Sequence, residues 1–98
     1  VKRRIVYLQI IWTRHAEERQ REWQIKVGIT RQEVEEAVRN PAQVAPGDLT
    51  ALVAQVRRAN GLLRVPFVEV TEGRKILTVY WTSKIDKYWR EEPDANSI

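Results

Sequence analysis

The sequence contains no cysteine. That excludes a disulfide framework, a thiol nucleophile, a thiolate-held zinc and an iron–sulfur centre. Its one histidine, His15, excludes a histidine-rich metal cluster. Glycine is scarce, and the glycine-dependent signatures are missing with it. There is no P-loop, no paired-glycine dinucleotide fingerprint and no nucleophile elbow, nor is there an HExxH zinc motif. Nucleotide hydrolysis, hydride transfer and zinc proteolysis therefore have no support. Long apolar runs are also lacking. Ile10-Ile11-Trp12 and Ala51-Leu52-Val53-Ala54 are short, and the first extends to Ile5–Trp12 only by admitting Tyr7 and Gln9, against the roughly 20 residues that a membrane span needs. Lys2-Arg3-Arg4 ahead of that stretch imitates a signal peptide. The next segment, Arg14 to Arg19, is a charged helical pattern with no small-residue cleavage site. The expectation is a strand, in a protein of the cytoplasm with no membrane partner.

What is present describes one folded domain over residues 1–98, with a polar tail at 91–98 that frays. Of the 98 residues 43% are hydrophobic and 31% charged, a balance that argues against disorder. Lys and Arg total 17 against 13 Asp and Glu, for a formal net charge of +4. Twelve of the 17 are arginine. Its planar fork suits phosphate and carboxylate, so RNA or an acidic protein segment is the expected kind of partner.

Residues Arg4–Trp12 read as a strand apolar on both faces, and so as one inside the sheet or covered on both sides. Thr13 caps a helix to about Gln24. Ala16 and Trp23 share its thin apolar stripe, so polar residues must share the buried side. Arg14–Glu18 and Glu17–Arg21 are spaced as i,i+4 ion pairs. Thr30-Arg31-Gln32-Glu33 is a capping box, flanked by an Ile29–Val34 hydrophobic staple. It predicts a second helix that buries Val34, Ala37 and Val38 and stops at Asn40-Pro41. Residues 41–48 read as a loop. Three strand-like runs come next: Leu49–Arg58, Leu62–Val70 and Lys75–Ser83, joined by turns at Asn60-Gly61 and Glu72-Gly73. Pro66 falls inside the second run, which requires a bulge or an edge-facing nitrogen there. Lys84–Glu92 reads as a short last helix with Ile85 and Trp89 on one side. The fold class expected is α+β: a β-α-α-β-β-β order, an antiparallel sheet of about four strands and helices packed on one face.

Adjacent carboxylates (Glu17-Glu18, Glu35-Glu36, Glu91-Glu92) point about 100° apart on a helix and share no site. His15 and Arg19 stand at i and i+4, on one helix face beside the apolar stripe. An imidazole can exchange a proton at neutral pH, and a guanidinium can hold a phosphate. Together they would serve metal-free RNA cleavage through attack of the 2′-hydroxyl. The plainer alternative is that His15 bonds a backbone carbonyl and Arg19 pairs with Glu22 or a strand carboxylate. In the last strand, alternation puts Ile76, Thr78, Tyr80 and Thr82 on one face and Leu77, Val79 and Trp81 on the other. The first face offers hydroxyls to a phosphate or ribose, or forms a cross-strand ladder. Arg57, Arg58, Arg64 and Arg74 would make a phosphate-tracking stripe, or protect strand edges.

The run Ile11-Trp12-Thr13-Arg14-His15-Ala16-Glu17-Glu18-Arg19 resembles the T-x-H-A-x-x-R opening of a family of small bacterial domains of unknown function. Gly28-Ile29-Thr30, Glu33-Val34-Glu35-Glu36-Ala37 and Asn40-Pro41 resemble its G-I-[ST]-x-x-E-V-x-x-A-x-x-N-P segment. Ile76-Leu77-Thr78-Val79-Tyr80 resembles its I-x-T-V-Y strand. The resemblance covers about Ile10 to Tyr88. Such domains are similar to the RelE, ParE and BrnT toxins of toxin–antitoxin systems. The resemblance implies an RNA-cleaving or ribosome-binding role and an acidic antitoxin as partner. It also implies a site at His15, Arg19 and Thr78, with Tyr80 adjacent. The expectation is then a metal-independent endoribonuclease without cofactor. In it His15 is general acid or base, Arg19 binds the scissile phosphate and Thr78 and Tyr80 orient it. Arg57, Arg58, Arg64 and Lys84 follow the RNA backbone. The alternatives are a non-catalytic RNA- or protein-binding module and a homodimer through the first strand or the tryptophans.

Overall fold

A computed structural model describes residues 8–91. The chain runs β1 (Gln9–Trp12), α1 (Arg14–Val27), α2 (Arg31–Arg39), β2 (Gln43–Pro46), β3 (Leu52–Arg58), β4 (Gly61–Val70), β5 (Gly73–Ile76), β6 (Tyr80–Thr82) and α3 (Ile85–Tyr88). The α+β class is as expected, and the sheet is larger and mixed. Six strands lie in the order β1-β5-β4-β3-β2, with β6 also paired to β4. All pairings are antiparallel except β1 on β5. Among the described residues β1 is an edge strand, not the interior one its apolar residues suggested. Ile10 and Trp12 pack on the core, whereas Gln9 is exposed. The expected strand residues before Leu8, and the tail from Glu92, lie outside the described range.

The helices follow their capping chemistry. Thr13 Oγ1 accepts from the Ala16 amide (3.1 Å) and donates to the Ile76 carbonyl (2.8 Å), which fastens the start of α1 to the end of β5. Gly28 closes α1 at φ 77°, a left-handed position that suits glycine. Gln20 is the polar residue on the buried side of α1. Its amide donates to Gln24 and to the Ile29 carbonyl. Thr30 Oγ1 accepts from the Glu33 amide (3.1 Å), and the staple residues Ile29 and Val34 are fully buried. The return arm of the capping box is not formed, because the Glu33 carboxylate binds Arg58 instead (2.7 Å). Likewise Arg14–Glu18 forms (3.7 Å), while Glu17 pairs with Arg31 and not with Arg21.

Several expectations about the sheet need correction. Residues 43–46 form β2, where a loop was expected. Burial alternates along it, with Gln43 and Ala45 inward, and Pro46 fits because the strand is at an edge. The β3–β4 turn is Ala59-Asn60, with Arg58 paired to Gly61. Ala59, at φ 54°, takes the left-handed position. Gly61 is a strand residue, required by close approach: a Cβ there would stand 2.2 Å from the Thr82 carbonyl oxygen.

The expected Lys75–Ser83 strand is split. Phe67 pairs with Ile76, but Arg64 pairs with Tyr80. Val65 and Pro66 thus face three residues, Leu77, Thr78 and Val79, across a bulge. Pro66 sits there as required: its carbonyl accepts the Leu77 amide (2.8 Å), and its missing N–H faces the bulge. The extra residue reverses the alternation. Ile76, Val79 and Trp81 now share the face that packs under α1 and α2 with Ala54, Leu63, Val65 and Phe67. Thr78 and Tyr80 lie on the opposite face. The helices are not all on one side either. α1 and α2 cover one face, and α3 with the Trp89–Arg90 segment covers part of the other.

Candidate phosphate-binding face

On the sheet face away from α1 and α2, register aligns one residue from each of four strands. Gln43 pairs with Gln55, Gln55 with Arg64 and Arg64 with Tyr80. Their side chains form a continuous hydrogen-bonded row. Gln55 Nε2 donates to Gln43 Oε1 (3.2 Å), Arg64 Nε donates to Gln55 Oε1 (2.7 Å), and Arg64 Nη1 donates to the Tyr80 hydroxyl. The chain then returns over the row as a strap. Gln55 Nε2 also donates to the Tyr88 carbonyl (3.2 Å). The Gln43 amide pairs with both backbone groups of Arg90. Tyr88 lies on the Arg64 guanidinium, with its ring centroid 3.9 Å from Cζ. Polar side chains in a sheet interior must be partnered, and the row meets that condition.

Arg64 is 8% exposed. No carboxylate among the described residues pairs with it. Two neutral acceptors and an aromatic face hold its charge in place. It forms the floor of a cavity of about 870 Å³ whose walls include Thr78, Tyr80, Tyr88 and the 46–51 turn. No buried side-chain nitrogen or oxygen in the described chain lacks a partner. Among the described residues Nη2 of Arg64 has no acceptor, and Arg64 lines the cavity. A smaller depression of about 550 Å³ lies alongside, lined by Arg57, Lys84, Asp86 and Lys87. Lys87 lines both. Arg57 rests on the ring of Trp89 at 4.7 Å. A recessed guanidinium thus continues into a basic rim.

The fold therefore divides the residues singled out in the sequence. Arg64, Thr78 and Tyr80 share one cavity, and Arg57 and Lys84 flank it. His15 and Arg19 line neither cavity. Both are exposed on α1, and Arg19 Nη1 is bound to Glu22 (2.6 Å). Arg58 is also removed from the expected stripe. One residue past Arg57, it faces the helices, where it binds Glu33 and donates to the Val27 carbonyl at the end of α1 (2.8 Å). Arg74 makes a similar tie to the Val38 carbonyl in α2 (2.6 Å). Gln43 and Gln55 belong to no motif in the sequence. The available signal was an amide within the apolar stretch Leu52 to Val56, which had to find partners inside the fold.

Comparison with protein family models, with curated proteins and with solved structures finds no match to this chain. Among the described residues no three His, Cys, Asp or Glu side chains gather as a metal site, and no helix is long and apolar enough to cross a membrane.

Proposed function

We propose that the chain is an RNA-binding domain of the toxin-like kind, and that it holds RNA phosphate on the sheet face around Arg64. One observation carries this reading: a nearly buried arginine, without a carboxylate partner in the described chain, is fixed by Gln55, Tyr80 and Tyr88 and lines a cavity. A guanidinium held in this way is preorganised for an anion. Arg57, Lys84 and Lys87 add charge along the rim, where a strand could continue.

The endoribonuclease form of the proposal places the chemistry on the same face. Tyr80 oxygen accepts from Arg64, so its own hydrogen is free to reach a phosphate oxygen or a leaving group. The guanidinium beside it would stabilise a phosphorane. The exposed His15–Arg19 pair then has no catalytic part.

Titration of a short single-stranded RNA at several salt concentrations tests the binding reading. Arg64→Lys keeps the charge but gives up donors to Gln55 and Tyr80, so it should weaken affinity at least tenfold and cost about 1–3 kcal/mol of stability. Arg57→Ala and Lys84→Ala should each lower the salt slope by about one contact's worth. His15→Ala should bind within twofold of the parent. Affinity unchanged by Arg64→Lys and lowered by His15→Ala would reverse the assignment. Incubation of RNA with chelator and the Tyr80→Phe variant tests cleavage separately.

A further inference from the structure

Arg64 is recessed, and that bears on which phosphate can reach it. The cavity is walled by the 46–51 turn on one side and the Tyr88–Arg90 strap on the other. An internal phosphodiester carries a sugar on two of its oxygens and runs along a surface. A phosphate at a strand end carries one and can enter end-first. The donors left over also suit it. Arg64 retains the Nη2 hydrogens and one on Nη1 after serving Gln55 and Tyr80. Tyr80 and Thr78, which both carry hydroxyls, line the same space. That set can serve three terminal phosphate oxygens, whereas a diester offers two.

The mouth of the cavity adds a second, independent feature. Leu49 lines it, fully exposed, with φ at 55°. A left-handed backbone is unfavourable for leucine, and this side chain gains no burial in the molecule to offset it. Such a residue suits contact with an apolar face of something bound. Pro46 and Leu77 extend the apolar wall, and about 870 Å³ lies within the range of small-ligand sites. Asp48 is the acidic side chain of the lining and stands exposed on the same turn.

We infer that the cavity takes a nucleotide phosphate monoester, with the phosphate on Arg64, Tyr80 and Thr78 and the base or ribose against Leu49. The monoester can be the phosphorylated end of an RNA or a free mononucleotide. The first source rests on the RNA-binding reading; the second does not.

The test uses the full chain and an internally labelled ten-nucleotide RNA in three forms: 5′-phosphorylated, 3′-phosphorylated, and hydroxyl at both ends. Adenosine monophosphate and inorganic phosphate serve as competitors. One phosphorylated form should bind at least tenfold tighter than the hydroxyl form. Adenosine monophosphate should compete with it better than phosphate does. Arg64→Lys should reduce the end preference below threefold, and Leu49→Ser should weaken adenosine monophosphate more than phosphate. If Arg64→Lys does not fold, Tyr80→Phe and Thr78→Val remove only hydroxyls and should each reduce the preference severalfold. Equal binding of all three RNAs, without competition by the nucleotide, overturns the inference and leaves the RNA reading standing. Binding of the nucleotide but of none of the RNAs supports the inference and removes the RNA reading. Binding of neither overturns both.

Discussion

Arg57 and Arg58 show how far one position along a strand can separate two identical side chains. Arg57 lies over Trp89 on the cavity face, and Arg58 is buried to about three-quarters against Glu33 on the helix face. Strand alternation puts such neighbours on opposite faces, so the two do not belong to one basic stripe. The two should respond differently to truncation. Arg58→Ala leaves the Val27 carbonyl and the Glu33 carboxylate without their partner, and should cost about 1–3 kcal/mol in urea unfolding with RNA affinity nearly unchanged. Arg57→Ala should cost under about 0.5 kcal/mol and weaken RNA binding. Gly61 offers a second check. An added methyl would stand 2.6 Å from the Trp81 ring as well as against the Thr82 carbonyl. Gly61→Ala should therefore destabilise by about 1–3 kcal/mol in thermal unfolding, through overpacking between β4 and β6.

Among the elements, the two main helices were legible because their ends are written in local chemistry. Thr13, Gly28, Thr30 and Asn40 act within a few residues of themselves, and each boundary falls at or next to them; the end of α1, expected near Gln24, lies at Val27 just before Gly28. The caps are not equal in consequence. Thr30 satisfies one amide, whereas Thr13 also donates to Ile76 in β5. Thr30→Ala should cost about 1 kcal/mol, and Thr13→Ala about 1 kcal/mol more for the lost tie to the sheet. Chemical denaturation of the pair measures that difference. The strands were less legible because their partners are distant in sequence. β2 has four residues, bounded by prolines that read as loop. The last expected strand lost both its continuity and its alternation: it divides into β5 and β6 around a bulge at 77–79, opposite Pro66. A proline at position 66 requires a bulge or an edge, but on which neighbour the extra residue falls depends on strand pairing. That single residue moved Thr78 and Tyr80 away from Ile76 and onto the face with Arg64.

For the molecule as a whole, the same division sets where function can reside. One face of the sheet is spent on the core with α1 and α2. The other carries a row of polar side chains under a short strap, open along a basic rim. Half of the candidate site was readable, since Arg64, Thr78, Tyr80, Arg57 and Lys84 were all singled out. Their grouping was not, because the His15–Arg19 spacing is a stronger local pattern than a row assembled from four strands. Net charge had pointed to an anionic partner without saying which surface meets it. Removing the rim charges together, as Arg57→Ala with Lys84→Ala and Lys87→Ala, should leave thermal stability within a few degrees. It should flatten the salt dependence of RNA binding by about two to three contacts.

The central claim concerns which surface meets the phosphate, so the most direct measurement maps it. An isotopically labelled chain titrated with a short RNA reports each residue's chemical shift. Side-chain and backbone signals of Gln55, Arg64, Tyr80 and Tyr88 should move together and saturably, with those of His15 and Arg19 unmoved. Shifts centred on His15 and Arg19, with the Gln43–Gln55–Arg64–Tyr80 row silent, would contradict the account and return the site to the outer face of α1.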